Sequence, residues 1–243
     1  MRITENLKAV KEKINNSSIQ SERDPRGIKL VAVTKTVGLP EIMEAVNAGV
    51  LIIGENKVQE AKEKITNYKL QITSPVPPLG KGVIHGGVEW HFIGSLQKNK
   101  VRTAVQLFDL IHSVDSISLA EEINRQALTA AKKQRVLIQV KLSDEAAKHG
   151  VMEEELIELV EGFDKMSNIK LEGLMTIPPL FDDPELVRPY FRRLREIRDN
   201  LSATGYHLSE LSMGMSNDFE IAIEEGATMV RIGTAIFGER TQK

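Results

Sequence analysis

The chain has 243 residues, of which 41% are hydrophobic and 27% charged, so it is too apolar to be a disordered protein. Its 32 basic and 34 acidic residues give a net charge of −2, which argues against a general nucleic-acid-binding protein because such a protein carries a basic excess. The absence of cysteine excludes disulfides, thiolate metal sites and cysteine nucleophiles.

The predicted elements alternate between amphipathic helices and short buried strands. Residues 2–16 place apolar side chains on one face and predict a surface helix, which a loop to residue 28 follows. A stretch rich in proline and glycine, residues 67–89, is predicted to be an exposed loop insertion. Eight strand-then-helix units are predicted, with strands at residues 30–35, 50–53, 89–94, 110–113, 136–140, 171–176, 208–213 and 228–232.

This alternation predicts a parallel sheet, because parallel neighbours need a crossover that a helix supplies. Eight units in 243 residues is the number found in a closed (β/α)8 barrel of the TIM type. We therefore predict an α/β fold with one barrel domain over residues 1–243 and an extra N-terminal helix. An open, doubly wound sheet is the alternative. The lack of G-x-G-x-x-G after the first strand argues against its dinucleotide-binding version.

A lone lysine, Lys35, stands at the end of the first predicted strand. An amine that leaves an apolar wall is desolvated, so it can lose its proton near neutral pH and attack a carbonyl carbon. The alternative is that Lys35 only extends from a strand end to the surface. In a TIM-type barrel the active site lies at the C-terminal ends of the strands, which brings Lys35 together with Asn56, His91 and Arg231.

Two loops near the C-terminus are suited to a phosphate group. Residues 213–217 precede a predicted helix, so Ser216 can cap it while neighbouring backbone N–H groups stay available to an anion. Gly233 allows close approach of the backbone, and Thr234 adds a hydroxyl. The two loops follow the seventh and eighth strands, where TIM-type barrels often bind phosphate. Serine caps and glycine turns without a ligand are the alternative interpretation.

Three other residues at the predicted mouth each have two interpretations. Arg231 either pairs with a carboxylate or faces a ligand acceptor, because an unpaired buried arginine is costly. His91 is either a core histidine or a catalyst, and Asn56 either caps the next helix or contacts a ligand. The histidines lack the spacing of a metal site, so no metal is predicted. The arginines within residues 188–198 are interpreted as a solvated helix surface.

Several short motifs occur in order along the chain. They are A-V-T-K at 32–35, G-E-N at 54–56 with V-Q-E at 58–60, W-H-F-I-G-S-L-Q-K-N-K at 90–100, H-S-V-D at 112–115, L-E-G-L-M at 171–175, L-S-M-G-M-S at 211–216 and V-R-I-G-T-A-I-F-G at 230–238. With these motifs the chain resembles the pyridoxal-phosphate homeostasis protein family from about Lys29 to Arg240. The resemblance implies the barrel of the N-terminal domain of alanine racemase and the cofactor pyridoxal 5′-phosphate.

The resemblance also implies roles for single residues. Lys35 would carry the cofactor as a Schiff base. Arg231 would face the pyridine nitrogen, and a permanent cation there keeps the nitrogen unprotonated and a weaker electron sink. Asn56 would line the side of the ring. The phosphate would be held by Ser216, Gly233 and Thr234.

The function implied is a protein of intracellular vitamin B6 homeostasis that binds the cofactor without turnover. Alanine racemase adds a second domain with a catalytic tyrosine, and we expect this chain to end after the barrel. PLP-dependent apo-enzymes are the candidate recipients, and we expect a cytoplasmic monomer that binds no nucleic acid or membrane. Many relatives carry a second lysine shortly after the first. Residues 36–38 offer none, so a transfer role assigned to that lysine is not supported here.

Two other functions use the same residues. The first is a PLP-dependent, racemase-like enzyme with His91 as a base at the mouth. The second is a barrel resembling class I aldolases, in which Lys35 attacks the substrate directly and the phosphate belongs to a sugar. The mass of the group trapped on Lys35 distinguishes these alternatives from a cofactor carrier.

Overall fold

The computed structural model of the protein describes residues 3–73, 87–143 and 149–239. Eight parallel strands form one closed barrel, in which each strand pairs with its neighbours in sequence and β8 pairs with β1. The predicted TIM-type fold is confirmed. The strands are β1 Lys29–Val33, β2 Ile52–Glu55, β3 Glu89–Phe92, β4 Leu110–Val114, β5 Gln134–Gln139, β6 Ile169–Met175, β7 Glu210–Ser212 and β8 Met229–Ile232.

The helices surround the barrel and cover its outer face. The additional N-terminal helix, α1, lies across the last helices of the barrel, where Asn6 donates a hydrogen bond of 2.9 Å to the carbonyl of Ile236. The helices are α1 Ile3–Gln20, α2 Leu39–Asn47, α3 Val58–Thr73, α4 Val101–Leu107, α5 Ile117–Thr129, α6 Glu153–Phe163, α7 Arg188–Ala203, α8 Phe219–Glu224 and α9 Thr234–Phe237. None of the helices described is long and apolar enough to cross a bilayer.

The predicted loop at 67–89 begins too early, whereas the third strand begins at residue 89 as predicted. Helix α3 continues to Thr73, and β3 begins at Glu89. Tyr68 explains the longer helix, because its side chain is buried and its ring meets that of Trp90 edge to face at 5.9 Å. That contact extends the apolar face of α3 by one more turn. Residues 74–86, which contain the prolines of the predicted loop, lie outside the described residues.

The arginines of α7 are paired rather than simply solvated. Arg188, Arg192 and Arg195 each contact Glu225, whose side chain is only 6% exposed. This carboxylate lies just after α8, so the three ion pairs join two neighbouring helices of the outer layer. The sequence shows the row of arginines but not the buried acceptor on the other helix.

The interior of the barrel has an apolar part and a polar part. The apolar part is a separate cluster at the barrel axis, formed by Val31, Leu110, Leu137, Met175 and Met229 with Ile52 against it. Side chains two positions apart on a strand point to the same face. The polar part therefore follows on the same strands, where His112 lies two residues after Leu110 and Arg231 two residues after Met229.

Candidate ligand-binding site

A cavity of about 490 Å³ opens at the C-terminal ends of the strands. All six site residues predicted from the sequence line it: Lys35, Asn56, Ser216, Arg231, Gly233 and Thr234. They come from the loops after β1, β2 and β7 and from β8 and the loop that follows it. Their roles toward a cofactor stay a prediction. The structure shows that they face one space.

Lys35 lies in a turn two residues beyond the end of β1. The predicted strand therefore ends too late, and the side chain is exposed at the cavity instead of leaving an apolar wall. The next residue, Thr36, has a φ of 62°, a conformation that a β-branched residue adopts only under strain. The lysine turn, defined here as residues 34–36, is thus held in a specific shape.

Charged side chains beneath the lysine turn account for that shape. The ammonium of Lys64 donates to the carbonyl of Thr34 at 2.6 Å, to Glu55 at 2.7 Å and to Glu60 at 2.6 Å. Glu60 also accepts the backbone N–H of Thr36 at 2.6 Å. We call Glu55, Glu60 and Lys64 the Lys64 cluster. It fixes the backbone on both sides of Lys35 and leaves the Lys35 side chain at the cavity.

Arg231 enters the cavity from the barrel interior and is 4% exposed. It donates to the hydroxyl of Ser212 at 2.7 Å and to the carbonyl of Thr176 at 2.9 Å. Burial lowers the pKa of Arg231 to about 10, and the nearby Asp218 opposes that shift. No ion pair joins Arg231 to a carboxylate within the described residues. The carboxylate-pair interpretation is therefore wrong, and a guanidinium faces the cavity.

Ser216 connects the two predicted phosphate loops instead of capping α8. Its Oγ accepts the N–H groups of Gly233 and Ala235, each at 3.3 Å. The N-cap of α8 is Asp218, whose carboxylate accepts the N–H of Met215 at 2.5 Å. The predicted serine cap is wrong because Asp218 occupies that position and the chain turns Ser216 toward the loop after β8.

The geometry leaves backbone donors at the cavity. Among the described residues, no acceptor is found for the amide N–H groups of Ser216, Asn217 and Thr234, and all three residues line the cavity. Gly214 makes this arrangement possible, since its φ is 90° and a Cβ there would lie 2.5 Å from the side chain of Ala222. Unpaired backbone donors from two loops are suited to an anion.

Asn56 follows β2, and its side-chain oxygen Oδ1 is buried without a hydrogen-bond partner among the described residues. It therefore does not cap α3, so that alternative is wrong. Gly94, after β3, packs directly on the Asn56 backbone: a Cβ at Gly94 would lie 2.2 Å from the Asn56 carbonyl oxygen. The orphaned oxygen belongs to a residue that lines the cavity, where a ligand donor can satisfy it.

His91 is not at the mouth. It is fully buried, does not line the cavity, and contacts Glu89 at 3.1 Å and His112 at 3.0 Å. The interpretation of His91 as a base at the mouth is wrong, because its ring points along the barrel interior toward the base of the barrel. A core histidine with satisfied ring nitrogens was the correct alternative.

Several lining residues were not predicted. Gln139 ends β5 and donates to the carbonyl of His149 at 2.8 Å. The sequence does contain a signal for Gln139, because a polar residue at the end of a predicted strand is expected at the mouth of a barrel. Met215 and Asn217 belong to the loop at 213–217 that was predicted at the mouth. The lining residues that no signal in the sequence indicated are Val33, Ile93, Gly94, Ser95, His149, Ile177, Leu180 and Asp218.

Comparison with known proteins identifies the family. The family described as alanine racemase, N-terminal domain, matches residues 2–241. A pyridoxal phosphate homeostasis protein of Aquifex aeolicus is 45% identical over 241 residues, which cover 99% of this chain and 99% of that protein. The chain belongs to the pyridoxal phosphate homeostasis protein family. The member from Escherichia coli K12 is 39% identical over 241 residues, covering 98% of this chain and 97% of that protein.

A solved structure resembles this pyridoxal phosphate homeostasis family member over its whole length. It is PipY of Synechococcus elongatus PCC7942 with PLP bound, which is 34% identical with a TM-score of 0.80. The alignment covers 97% of this chain and 100% of PipY. The family predicted from the sequence motifs is therefore confirmed.

Proposed function

We propose that this protein binds pyridoxal 5′-phosphate at the mouth of the barrel and takes part in vitamin B6 homeostasis without turnover of its own. The observation that carries the proposal is that Lys35, Arg231 and unpaired amides of two loops surround one cavity. The names of the relatives and the PLP bound to PipY support the choice of ligand.

The residues at the cavity fit the parts of this cofactor. The Lys35 amine would replace the aldehyde oxygen of the cofactor, with formation of a C=N bond and release of one water. Arg231 is a buried cation, and beside the ring nitrogen its charge would keep that nitrogen unprotonated. The unpaired Asn56 oxygen can accept a hydrogen bond from the ring side. The phosphate group is assigned to Ser216, Gly233 and Thr234, together with the neighbouring free amides.

The proposal that the protein binds the cofactor without turnover is supported by the positions of the candidate bases among the described residues. The racemase alternative needs a base near the cofactor, and the residue expected to supply it, His91, lies outside the cavity. Asp218 lines the cavity, but it already accepts the amide of Met215 as the N-cap of α8. Besides Lys35, Arg231 and Asp218, the titratable residue that lines the cavity is the exposed His149. Racemase activity therefore remains the second candidate, with His149 in place of His91.

Borohydride trapping tests the Schiff base directly. Protein incubated with PLP and then reduced is expected to carry one cofactor on the peptide that contains Lys35, as measured by mass spectrometry. Lys35→Ala is expected to lose the label and to keep its unfolding midpoint, since the side chain is exposed. Lys98→Ala changes another exposed lysine and is the matched control. A label on a different lysine, or none in the wild-type protein, would contradict the proposal.

A second experiment separates the carrier from the enzyme. PLP-loaded protein is incubated with single-enantiomer alanine and other amino acids, and their optical activity is followed. We expect no loss of optical activity. Conversion that His149→Asn abolishes would replace the carrier proposal with the racemase-like one.

Transfer of PLP to apo-enzymes is part of the same proposal. The exposed Lys35 and the open mouth support access by a recipient. Loaded protein mixed with a PLP-dependent apo-enzyme is expected to restore that enzyme faster than the same amount of cofactor released through a dialysis membrane. The monomeric state and the cytoplasmic location stay predictions.

A further inference from the structure

A continuous row of hydrogen bonds runs through the barrel interior from the cavity to the opposite end. Arg231 donates to Ser212 at 2.7 Å, Ser212 meets Nδ1 of His112 at 2.9 Å, and Nε2 of His112 meets Nδ1 of His91 at 3.0 Å. Nε2 of His91 then meets Glu89 at 3.1 Å. We call these five residues the interior chain.

The two ends of the interior chain allow only one direction for its protons. The hydrogen bond from His91 lowers the pKa of Glu89 to about 2, so this carboxylate only accepts. His91 therefore carries its proton on Nε2 and accepts at Nδ1. His112 must then donate from Nε2 and accept at Nδ1, so the hydroxyl of Ser212 donates to His112. The Ser212 oxygen is left to accept from Arg231.

The histidines are neutral in this arrangement. Burial lowers the pKa of His91 and, more strongly, that of His112. The Glu89 carboxylate opposes this shift at His91, whereas the charged neighbours of His112 add to the shift there. His91 faces Arg135 as well as the carboxylates of Glu89 and Asp109. The titratable and charged groups that lower the pKa of His112 are His91, Arg231 and Arg135. Each ring therefore supplies one donor and one acceptor, which is what a chain with one direction requires.

A buried polar row in an interior that is otherwise apolar needs an explanation. His91, His112 and Ser212 are fully buried, beside the apolar cluster of the barrel axis. Leucine or valine would fill such positions without the cost of desolvating polar groups. The interior chain supplies Arg231 with a fixed acceptor, the Ser212 hydroxyl, at the floor of the cavity.

We propose that His112 and His91, acting through Ser212, are positioning residues that orient the Arg231 guanidinium toward the ring nitrogen of the cofactor. This inference rests on the proposed function. Without the chain, the Ser212 hydroxyl is free to rotate and to offer its proton to Arg231. A donor facing a cation repels it, so Arg231 would retain only the hydrogen bond to the Thr176 carbonyl.

The first test needs no cofactor. Long-range ¹H–¹⁵N NMR spectra of the ligand-free protein report the tautomer of each histidine ring. We expect both His91 and His112 to be neutral between pH 6.5 and 8 with the proton on Nε2. A charged ring, or a proton on Nδ1 of either residue, would overturn the proposal whether or not the protein binds PLP.

The second test compares two buried serines in binding experiments. Ser212→Ala removes one of the two acceptors of Arg231, whereas Ser113→Ala removes a buried hydroxyl that has no partner among the described residues. The ligands are PLP and an analogue with carbon in place of the ring nitrogen. We expect Ser212→Ala and His112→Leu to weaken PLP binding about tenfold, the value of one hydrogen bond to a charged group. Binding of the analogue should change little.

The ring-nitrogen analogue separates orientation from general damage. Equal loss for both ligands would mean that the interior chain has only a structural role, and the proposal would be overturned. Unchanged PLP affinity in Ser212→Ala would overturn it as well. Ser113→Ala is expected to bind both ligands like the wild-type protein. If wild-type protein bound neither ligand, the proposed function would fail, and the NMR spectra would still decide the direction of the chain.

Discussion

Lys64 is the residue that fixes the backbone around Lys35. Its side chain is 11% exposed, and its ammonium contacts the fully buried Glu55 and the partly buried Glu60. Glu55 accepts from Thr34 as well, yet its second oxygen has no partner among the described residues. Burial raises the pKa of Glu55, and the hydrogen bond from Lys64 opposes that rise. The charge of Lys64 therefore offsets the free-energy cost of burying the Glu55 carboxylate beneath the lysine turn.

Lys64→Met is expected to destabilise the protein by about 3 kcal/mol or more, because it leaves Glu55 buried without its cation. Urea denaturation at pH 8 measures this change in the free energy of unfolding. The loss should be smaller at pH 5, where Glu55 can take up a proton and needs no cation. Lys62→Met changes an exposed lysine of the same helix and should stay within about 0.5 kcal/mol of wild type. Equal effects of the two variants would refute the role of Lys64.

This cluster shows what a sequence conceals at the scale of residues. Glu60 and Lys64 are four positions apart and resemble any exposed ion pair on a helix. Their contacts with Thr34 and Thr36 join segments 30 and 24 residues away. Lys35 itself was identified correctly as a residue of the mouth, because its position after a strand depends on the fold alone. Its support depends on long-range contacts that no local pattern encodes.

At the scale of elements, the segments that follow β2 and β3 pack directly on each other through their backbones, at Asn56 and Gly94. Gly94 lies against the Asn56 backbone, so the loop after β3 fixes a residue that lines the cavity and whose side-chain oxygen has no partner among the described residues. Thr34 and Ile93 complete the same edge through backbone hydrogen bonds to β2, of 3.0 Å and 2.9 Å. Three neighbouring strand ends therefore act as one unit at the mouth.

Gly94→Ala is expected to disturb this unit, because its Cβ would lie 2.2 Å from the Asn56 carbonyl oxygen and the backbone must shift. We expect a loss of about 1–3 kcal/mol in unfolding free energy, as for other overpacked positions, together with weaker PLP binding. Gly27→Ala is the control, since a Cβ there meets no described atom within 4 Å. If Gly94→Ala kept the stability and PLP affinity of the wild-type protein, the close contact of Gly94 with Asn56 would not be needed to fix the strand ends, and this role would be refuted.

Strands and helices were predictable where the spacing of apolar residues in the sequence matches the side chains that are buried. Each strand was located to within a few residues, because buried parallel strands are short apolar runs between helices. The start of the 67–89 loop was missed because the helix is extended by the contact of Tyr68 with Trp90, which lies on another element. The two loops predicted to suit a phosphate were identified by Ser216 and by Gly233, and both line the cavity. The hydrogen-bond partners of Ser216 were not predicted, because Ser216 and Asp218 are both possible helix caps in the sequence and the structure uses Asp218.

At the scale of the whole molecule, the barrel carries two different interiors. Its axis is apolar, as alternating strands predict, while the interior chain crosses from Glu89 to Arg231. His112 lies 21 residues from His91 and 100 residues from Ser212 in sequence. No local pattern links such residues. The closed barrel brings them together, and the fold was thus more predictable than its internal polar contacts.

The buried histidines make the stability of the whole barrel depend on pH. Burial lowers the pKa of His91 and of His112 below the ordinary value of 6.5, so in the folded protein both stay neutral where the unfolded chain takes up protons. Since the unfolded state then binds more protons, the free energy of unfolding must decrease as the pH falls below about 6.5. The slope is about 1.4 kcal/mol per pH unit for each histidine that stays neutral. Glu89, with its pKa lowered to about 2, adds a further loss below pH 4.5.

Denaturant unfolding at pH 7.5, 6.5 and 5.5 measures this dependence. We expect the wild-type free energy of unfolding to be highest at pH 7.5 and to fall most steeply between pH 6.5 and 5.5. His112→Asn removes the more strongly shifted group, so its curve should be flatter by about 1.4 kcal/mol per pH unit, even though the variant is less stable at pH 7.5. His207→Asn changes an exposed histidine and should keep the wild-type slope. A wild-type slope in His112→Asn would mean that His112 is already protonated in the fold, and the direction of the interior chain would then be reversed or lost.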